Sequence, residues 1–114
     1  MEAQCDMAAV VQAQLEAYQR KDVAAFVATY SPSVELYDHP GKLTLKGRDA
    51  LREQYADFFR SLPEAKVEVK HRTVTQNYVV DEETVTPKPG APSFVVSAVY
   101  KIEGCLISRV DFID

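Results

Sequence analysis

The first part of the chain carries apolar side chains at the spacing of an α-helix. Val11, Leu15 and Tyr18 fall on one side of a helical projection, which predicts an amphipathic helix over residues 8–20. Asp22 is a favourable N-cap residue and predicts a second, short helix directly after it. The chain therefore begins with two helices, each with an apolar face that needs a partner to pack against.

A strand pattern begins after the second helix. Val34, Leu36 and Asp38 occupy alternate positions, so their side chains share one face of a predicted strand. A tight turn and a second short strand follow, and Gly47 then opens a third helix that we expect to end before Pro63. An acid on an apolar face is costly unless it has partners or a role. Asp38 is therefore a candidate functional residue.

From residue 66 onward the apolar positions recur with a period of two, which is typical of β-strands. Residues 66–76, 78–86, 93–103 and 105–114 are each predicted to form a strand. Helices followed by strands predict an α+β domain, with the helices packed on one face of an antiparallel sheet. We expect the whole chain of 114 residues to form a single domain, since no linker or repeat divides it.

Composition narrows the classes of function. An apolar fraction of 46% and a charged fraction of 26% are typical of a soluble globular protein. The net charge of −4 argues against nucleic-acid binding, and no apolar run is long enough to span a membrane. Glu2 and Asp6 stand where an export signal needs a basic and then an apolar segment, so we expect a cytoplasmic protein. We expect Cys5 and Cys105 to be reduced thiols that the fold does not bring together.

The strand over residues 94–100 is apolar on both of its faces. Val95 and Val99 point to one side, and Val96 and Ala98 point to the other. Such a strand needs cover on both faces. The predicted helices cover one face of the sheet, and no helix remains for the other. We therefore expect a homodimer, in which a second copy covers the outer face.

Several segments together resemble a known family. They are Tyr18 to Val27, Thr29-Tyr30, the YDHPG turn, the GRDALREQY segment and the closing LISRVDF. In order and composition they resemble the SnoaL-like branch of the NTF2-like superfamily, which also includes ketosteroid isomerase and scytalone dehydratase. The resemblance covers nearly the whole chain. It implies a cone-shaped fold, in which three N-terminal helices pack on a strongly curved antiparallel sheet and leave a pocket at the open end.

The resemblance also implies roles for particular positions. Asp38 matches the general-base aspartate of ketosteroid isomerase, and Tyr55 matches a tyrosine that supports the oxyanion hole of that enzyme. The two oxyanion-hole donors do not carry over, because Gln14 and Ala98, or a neighbour of Ala98, stand in their places. Loss of one such donor typically costs about 100- to 1,000-fold in rate. We therefore expect this protein to be a poor ketosteroid isomerase.

The same resemblance sets which residues face the pocket. Asp38, His71 and Glu82 are the ionisable candidates, with Asp38 as the base and His71 or Tyr55 as the group that steadies a carbonyl oxygen. The other expected ligand contacts are Gln14, Tyr30, Val67, Val69, Ala98, Tyr100, Val110 and Phe112. Structural explanations stay open beside these roles: Asp38 as a turn residue, His71 as a core histidine and Glu82 as part of a solvated acidic edge.

Three functions are compatible with the sequence. The first is an isomerase, cyclase or dehydratase that moves a proton at a carbon next to a carbonyl group. The second is a ligand-binding module without catalysis, and the third is a dimeric interaction module without a working pocket. The first two imply a small hydrophobic ligand of polyketide-like or steroid-like type. No cofactor is expected, and the spacing of Asp38, His71 and Glu82 favours no metal site.

Overall fold

Helices come first and most of the strands come last in the chain, as the sequence predicts. The computed structural model describes residues 5–114, and within that range it contains three helices and six strands. The helices are α1 (Met7–Arg20), α2 (Val23–Val27) and α3 (Arg48–Ser61). The strands are β1 (Tyr30–Asp38), β2 (Lys42–Lys46), β3 (Lys66–Val74), β4 (Tyr78–Thr86), β5 (Phe94–Glu103) and β6 (Leu106–Ile113). Each predicted helix and strand is present, but Tyr30, which the sequence pattern places in the second helix, begins β1 instead.

Short polar side chains set where the first two helices begin. The Asp6 carboxylate accepts a hydrogen bond from Ala9 N at 3.1 Å, and the Asp22 carboxylate accepts one from Ala25 N at 3.1 Å. Each bond satisfies a backbone N–H that the first turn of a helix leaves without an intrahelical partner. Gly47 precedes α3 with a φ of 94°, a backbone conformation that favours glycine. The predicted N-cap at Asp22 is confirmed.

The six strands of the described range form one curved sheet in the order β2-β1-β6-β5-β4-β3. Neighbouring strands are antiparallel except β1 and β6, which run parallel. A parallel pair needs a long connection, and the chain between β1 and β6 supplies one that contains α3 and four strands. The α+β fold is confirmed, whereas the sheet is mixed rather than wholly antiparallel.

The helices pack on one face of this sheet through a core rich in aromatic rings. Phe26 of α2 lies at its centre, with ring centroids 5.0 Å from Tyr30, 4.6 Å from Tyr55 and 5.7 Å from Phe59. Tilted and edge-to-face contacts of this kind add about 0.5–1.5 kcal/mol each beyond the burial of their area. The cluster thereby fixes α2 and α3 relative to β1.

A β-bulge changes which residues of β3 face the helices. The register with β4 shifts between Val69 and His71, which leaves Lys70 as an extra residue on β3. A shift of one residue exchanges the two faces of the strand beyond it. Arg72 is therefore turned toward the helices, and His71 is exposed to solvent. The prediction that His71 faces inward is wrong, because it assumed an unbroken alternation.

Candidate functional site

A small cavity, here named the central cavity, lies between the helices and the sheet. Its volume is about 40 Å³. α1 supplies Gln14, Leu15 and Tyr18, α3 supplies Tyr55, and the strands supply Tyr30, Val67, Glu83, Tyr100 and Phe112. An apolar wall with a few convergent polar groups is typical of sites that bind small molecules.

Glu83 brings a carboxyl group into the wall of the central cavity. The residue is 6% exposed, and the Tyr100 hydroxyl donates a hydrogen bond to Glu83 Oε2 at 3.2 Å. Burial, followed by the negative charge of Asp81, raises the pKa of Glu83 from 4.5 to about 7, against the opposing effects of the Tyr100 hydrogen bond and of Arg72. Near neutral pH both protonation states are therefore populated. A group in this condition can accept and return a proton.

Asp81 lies two residues before Glu83 on the same face of β4, and its charge is compensated by Arg72. The guanidinium group donates from Nε to Asp81 Oδ1 at 2.7 Å and from Nη2 to Asp81 Oδ2 at 2.9 Å. Its Nη1 atom donates to Gln12 Oε1 at 3.1 Å. Asp81 is 1% exposed, so this two-point pairing replaces the water that a carboxylate otherwise requires. Asp81 is part of an ion pair beside the central cavity and is not one of the residues that line it.

Four tyrosine hydroxyls belong to the residues of this wall, those of Tyr18, Tyr30, Tyr55 and Tyr100. Burial is the main cause that raises their pKa values, to about 12 for Tyr55 and above the ordinary value for the other three. The hydroxyls therefore stay protonated at neutral pH and act as hydrogen-bond donors. Donors grouped around a carboxyl group are suited to hold a carbonyl oxygen on which negative charge develops.

Gln14 carries an acceptor that the protein leaves unsatisfied. The residue is 6% exposed, and no donor within the described part of the chain bonds to its Oε1 atom. A buried acceptor without a partner costs about 1–3 kcal/mol. Because Gln14 lines the central cavity, a water molecule or a ligand inside the cavity is the group placed to donate to it.

The structure brings together many of the residues that the sequence assigned to the site. Those that line the central cavity are Gln14, Tyr30, Tyr55, Val67, Tyr100 and Phe112. Ala98 and Val110 are fully buried in the core and Val69 is half-buried, but none of these three lines the cavity. Each of the three pairs across the sheet with a residue of the wall: Val69 with Glu83, Ala98 with Phe112 and Val110 with Tyr100. They therefore border the cavity without lining it.

None of the three expected ionisable residues lines the central cavity, and His71, like the other two, is exposed. Asp38 is exposed, and the prediction that it lines the pocket is wrong, because β1 leaves the cover of the helices before it reaches this residue: residues 38–44 are all exposed. Glu82 is also exposed, because β4 turns Asp81 and Glu83 toward the helices and the residue between them toward solvent.

The sequence interpretation missed Glu83, together with Leu15 and Tyr18 of the wall. A signal for Glu83 was present in β4. Val79 is a fully buried apolar residue, and a residue four positions later on a strand lies on the same face. The register taken from the resemblance turned Glu82 inward instead, which placed Glu83 on the outer face of the strand.

The side chains of the central cavity offer carboxyl, hydroxyl and amide groups. Among residues 5–114, no group of three or more His, Cys, Asp or Glu side chains is arranged to hold a metal ion. Within the same range, every helix is too short or too polar to cross a membrane.

Solved structures with the same architecture come from several bacteria. An uncharacterized cystatin-fold protein from Novosphingobium aromaticivorans is 28% identical, with a TM-score of 0.88 over 97% of this chain and 100% of that one. A candidate polyketide cyclase from Sinorhizobium meliloti is 17% identical, with a TM-score of 0.77 over 91% and 93% of the two chains. A candidate SnoaL-like polyketide cyclase from Jannaschia is 15% identical, with a TM-score of 0.73 over 98% and 90%.

The sequence itself identifies the family. No curated protein matches this chain. The family model of the SnoaL-like domain matches residues 11–110, which is most of the chain and includes every residue that lines the central cavity except Phe112. The chain belongs to the SnoaL-like domain family of the NTF2-like superfamily.

Proposed function

We propose that the central cavity is the active site of a small enzyme that transfers a proton at a carbon next to a carbonyl group, with Glu83 as general acid and base. The observation that carries the proposal is a buried carboxyl group with a pKa of about 7, surrounded by tyrosine hydroxyls. Two structural neighbours are candidate polyketide cyclases, which supports a substrate that contains carbonyl groups.

In this mechanism the carboxylate form of Glu83 removes the proton, and the electron pair of the C–H bond moves toward the carbonyl oxygen to give an enolate. Tyr100 is already bonded to Glu83, so Tyr18, Tyr30 and Tyr55 are the donors that stabilise the enolate oxygen. Protonated Glu83 then returns the proton, to another carbon in an isomerisation or to a departing hydroxyl group in a dehydration.

The substrate needs more room than the central cavity now has. Ligand sites commonly measure roughly 300–1,000 Å³, whereas this cavity measures about 40 Å³. Leu15 and Phe112 are half-buried members of the wall, so rotation of these two side chains is the simplest way to enlarge it. A substrate hydroxyl or amide group that donates to Gln14 Oε1 would satisfy the acceptor that the protein leaves open.

Hydrogen–deuterium exchange tests this proposal without knowledge of the natural substrate. Cyclohexanone and 2-tetralone are incubated with the protein in D₂O, and the loss of the proton signal next to the carbonyl is followed by NMR. We expect exchange above the buffer rate, reduced at least ~100-fold in Glu83→Gln. Glu82→Gln is the matched control, because Glu82 is the neighbouring residue and is exposed. Equal rates for Glu83→Gln and the wild type would reject Glu83 as the acid and base.

A ligand-binding module without catalysis is the second candidate. The unsatisfied Oε1 atom of Gln14 favours it, because this atom supplies a contact to a ligand without any proton transfer. Under this alternative both ketones shift NMR signals of Leu15 and Phe112, but exchange of the ketone protons stays at the buffer rate in the wild type. The two candidates share the same site and differ only in proton transfer.

We also propose that the protein is a homodimer through the outer face of the sheet. Val95 is 57% exposed and Ile113 is 38% exposed, and Ser97 pairs with Ile113 across β5 and β6, so the three residues share that face. Light scattering is expected to give a dimer for the wild type and a monomer for Val95→Asp. A wild-type monomer at micromolar concentration would contradict the proposal.

A further inference from the structure

Two cysteines that are separated by almost the whole sequence line one surface groove. Cys5 and Cys105 both belong to a groove of about 400 Å³ between the start of α1, the end of α2 and the β5–β6 hairpin. The sequence did not predict that both residues would line the same groove. Ile107 N donates to Thr29 O at 2.9 Å, and this bond holds the start of β6 beside the residues that directly follow α2.

Cys105 occupies a backbone position that disfavours its residue type. Gly104 and Cys105 form the two-residue link between β5 and β6, with φ angles of 57° and 64°. Two positive φ angles are the mark of a type I′ hairpin turn, whose central positions prefer glycine, asparagine and aspartate. A cysteine is strained there, and strained residues of this kind cluster at functional positions. The turn fixes Cys105 on the wall of the groove.

The side chain of Cys5 packs against the hydrophobic core, but its backbone belongs to no helix or strand. Cys5 directly precedes the N-cap residue Asp6 and lies outside the hydrogen-bonded turns of α1. Its backbone angles are therefore not set by the helix, and its Cα atom can move without breaking a helical turn. A disulfide requires Cα atoms roughly 4.4–6.8 Å apart. One fixed and one adjustable cysteine, both half-buried on an open groove, suit closure of such a bond and are accessible to a small oxidant.

We propose that Cys5 and Cys105 are a thiol modification site, at which a hydroperoxide forms an intramolecular disulfide. One sulfur attacks the O–O bond, gains an oxygen as sulfenic acid and releases water or an alcohol. The second sulfur attacks the first, the S–S bond forms and the oxygen leaves as water. The two thiols give up two electrons and the peroxide accepts them. The bond joins the start of α1 to the β5–β6 hairpin and closes the groove.

The full-length reduced protein is treated with hydrogen peroxide, blocked with N-ethylmaleimide and mapped by mass spectrometry of peptides without reduction. We expect a monomer in which a peptide with Cys5 is linked to a peptide with Cys105, and in which neither cysteine carries maleimide. Because the bond closes a loop of about 100 residues, the Tm is expected to rise by at least ~5 °C. The controls Cys5→Ser and Cys105→Ser, checked for native circular dichroism, should show neither the linked peptide nor the rise.

Three results would each overturn the proposal. They are maleimide on both cysteines of the treated wild type, separate oxidation of each sulfur to sulfinic acid, and a disulfide found only between two molecules. A linked monomer whose Tm equals that of the reduced protein would show that the disulfide forms but does not restrain α1. That result would overturn the proposed stabilisation of the fold by the bond.

Discussion

Asp81 and Glu83 are two buried acids on one face of β4, and they differ in the hydrogen-bond donors that surround them. Asp81 receives two charge-assisted hydrogen bonds from Arg72, whereas Glu83 receives one hydrogen bond from the neutral Tyr100 hydroxyl. The first arrangement joins a carboxylate to a cation at two points, whereas burial of Glu83 raises the pKa of its carboxyl group to about 7. Charge compensation therefore separates an acid suited to structure from an acid suited to proton transfer.

The largest expected effect comes from removal of the compensating cation. Arg72→Met leaves Asp81 buried without its partner, which is expected to cost about 3 kcal/mol of unfolding free energy. Lys70→Met is the matched control, since Lys70 is an exposed residue of the same strand that pairs with exposed Glu68. Urea denaturation at neutral pH should show a change within about 0.5 kcal/mol for the control. Equal losses of unfolding free energy in the two variants would mean that the buried Arg72–Asp81 pair stabilises the fold no more than the exposed Lys70–Glu68 pair.

The next effect concerns Glu83 and the dependence of stability on pH. The folded state keeps the Glu83 proton between the ordinary pKa of 4.5 and the raised pKa of about 7, a range in which the unfolded chain has lost it. The contribution of Glu83 is therefore complete below pH 4.5 and is lost as the pH rises to about 7, by roughly 3 kcal/mol. Glu83→Gln should remove this decline, and Glu82→Gln should keep it. A decline that persists unchanged in Glu83→Gln would assign it to another group.

The smallest effect tests the single hydrogen bond to Glu83. Tyr100→Phe removes the hydroxyl donor that opposes the rise in pKa, so the pKa of Glu83 should increase above its wild-type value of about 7. Loss of the bond is expected to lower the unfolding free energy by about 1 kcal/mol. Tyr78→Phe is the control, because Tyr78 is 37% exposed and lies at the start of β4, the strand that contains Glu83. An NMR titration that gives the same Glu83 midpoint in both variants would contradict the role of Tyr100.

The elements of this fold were predictable because their signals are local. The N-cap at Asp22 and the period-two pattern of the last strands each depend on a few neighbouring residues, and the structure confirms both. The parallel pairing of β1 with β6 was not predictable in this way. It depends on how segments more than 70 residues apart meet, and no local pattern records that arrangement.

The candidate site was only partly predictable, and the errors have physical causes. Gln14 and Tyr55 were placed at the site by the resemblance to ketosteroid isomerase, and the structure puts both in the wall of the cavity. His71 was misplaced by the bulge at Lys70, which no alternation rule detects. Glu83 was missed because the register taken from the resemblance turned Glu82 inward, whereas β4 turns Asp81 and Glu83 toward the helices.

The most direct test of the account is a titration of the Glu83 carboxyl carbon by ¹³C NMR in the wild-type protein. The spectrum of Glu83→Gln assigns the signal, since that variant lacks it. The account predicts a midpoint at about pH 7, set mainly by burial in the wall of the central cavity. A midpoint near the ordinary value of 4.5 would show that Glu83 is solvated or paired, and would contradict its role in proton transfer.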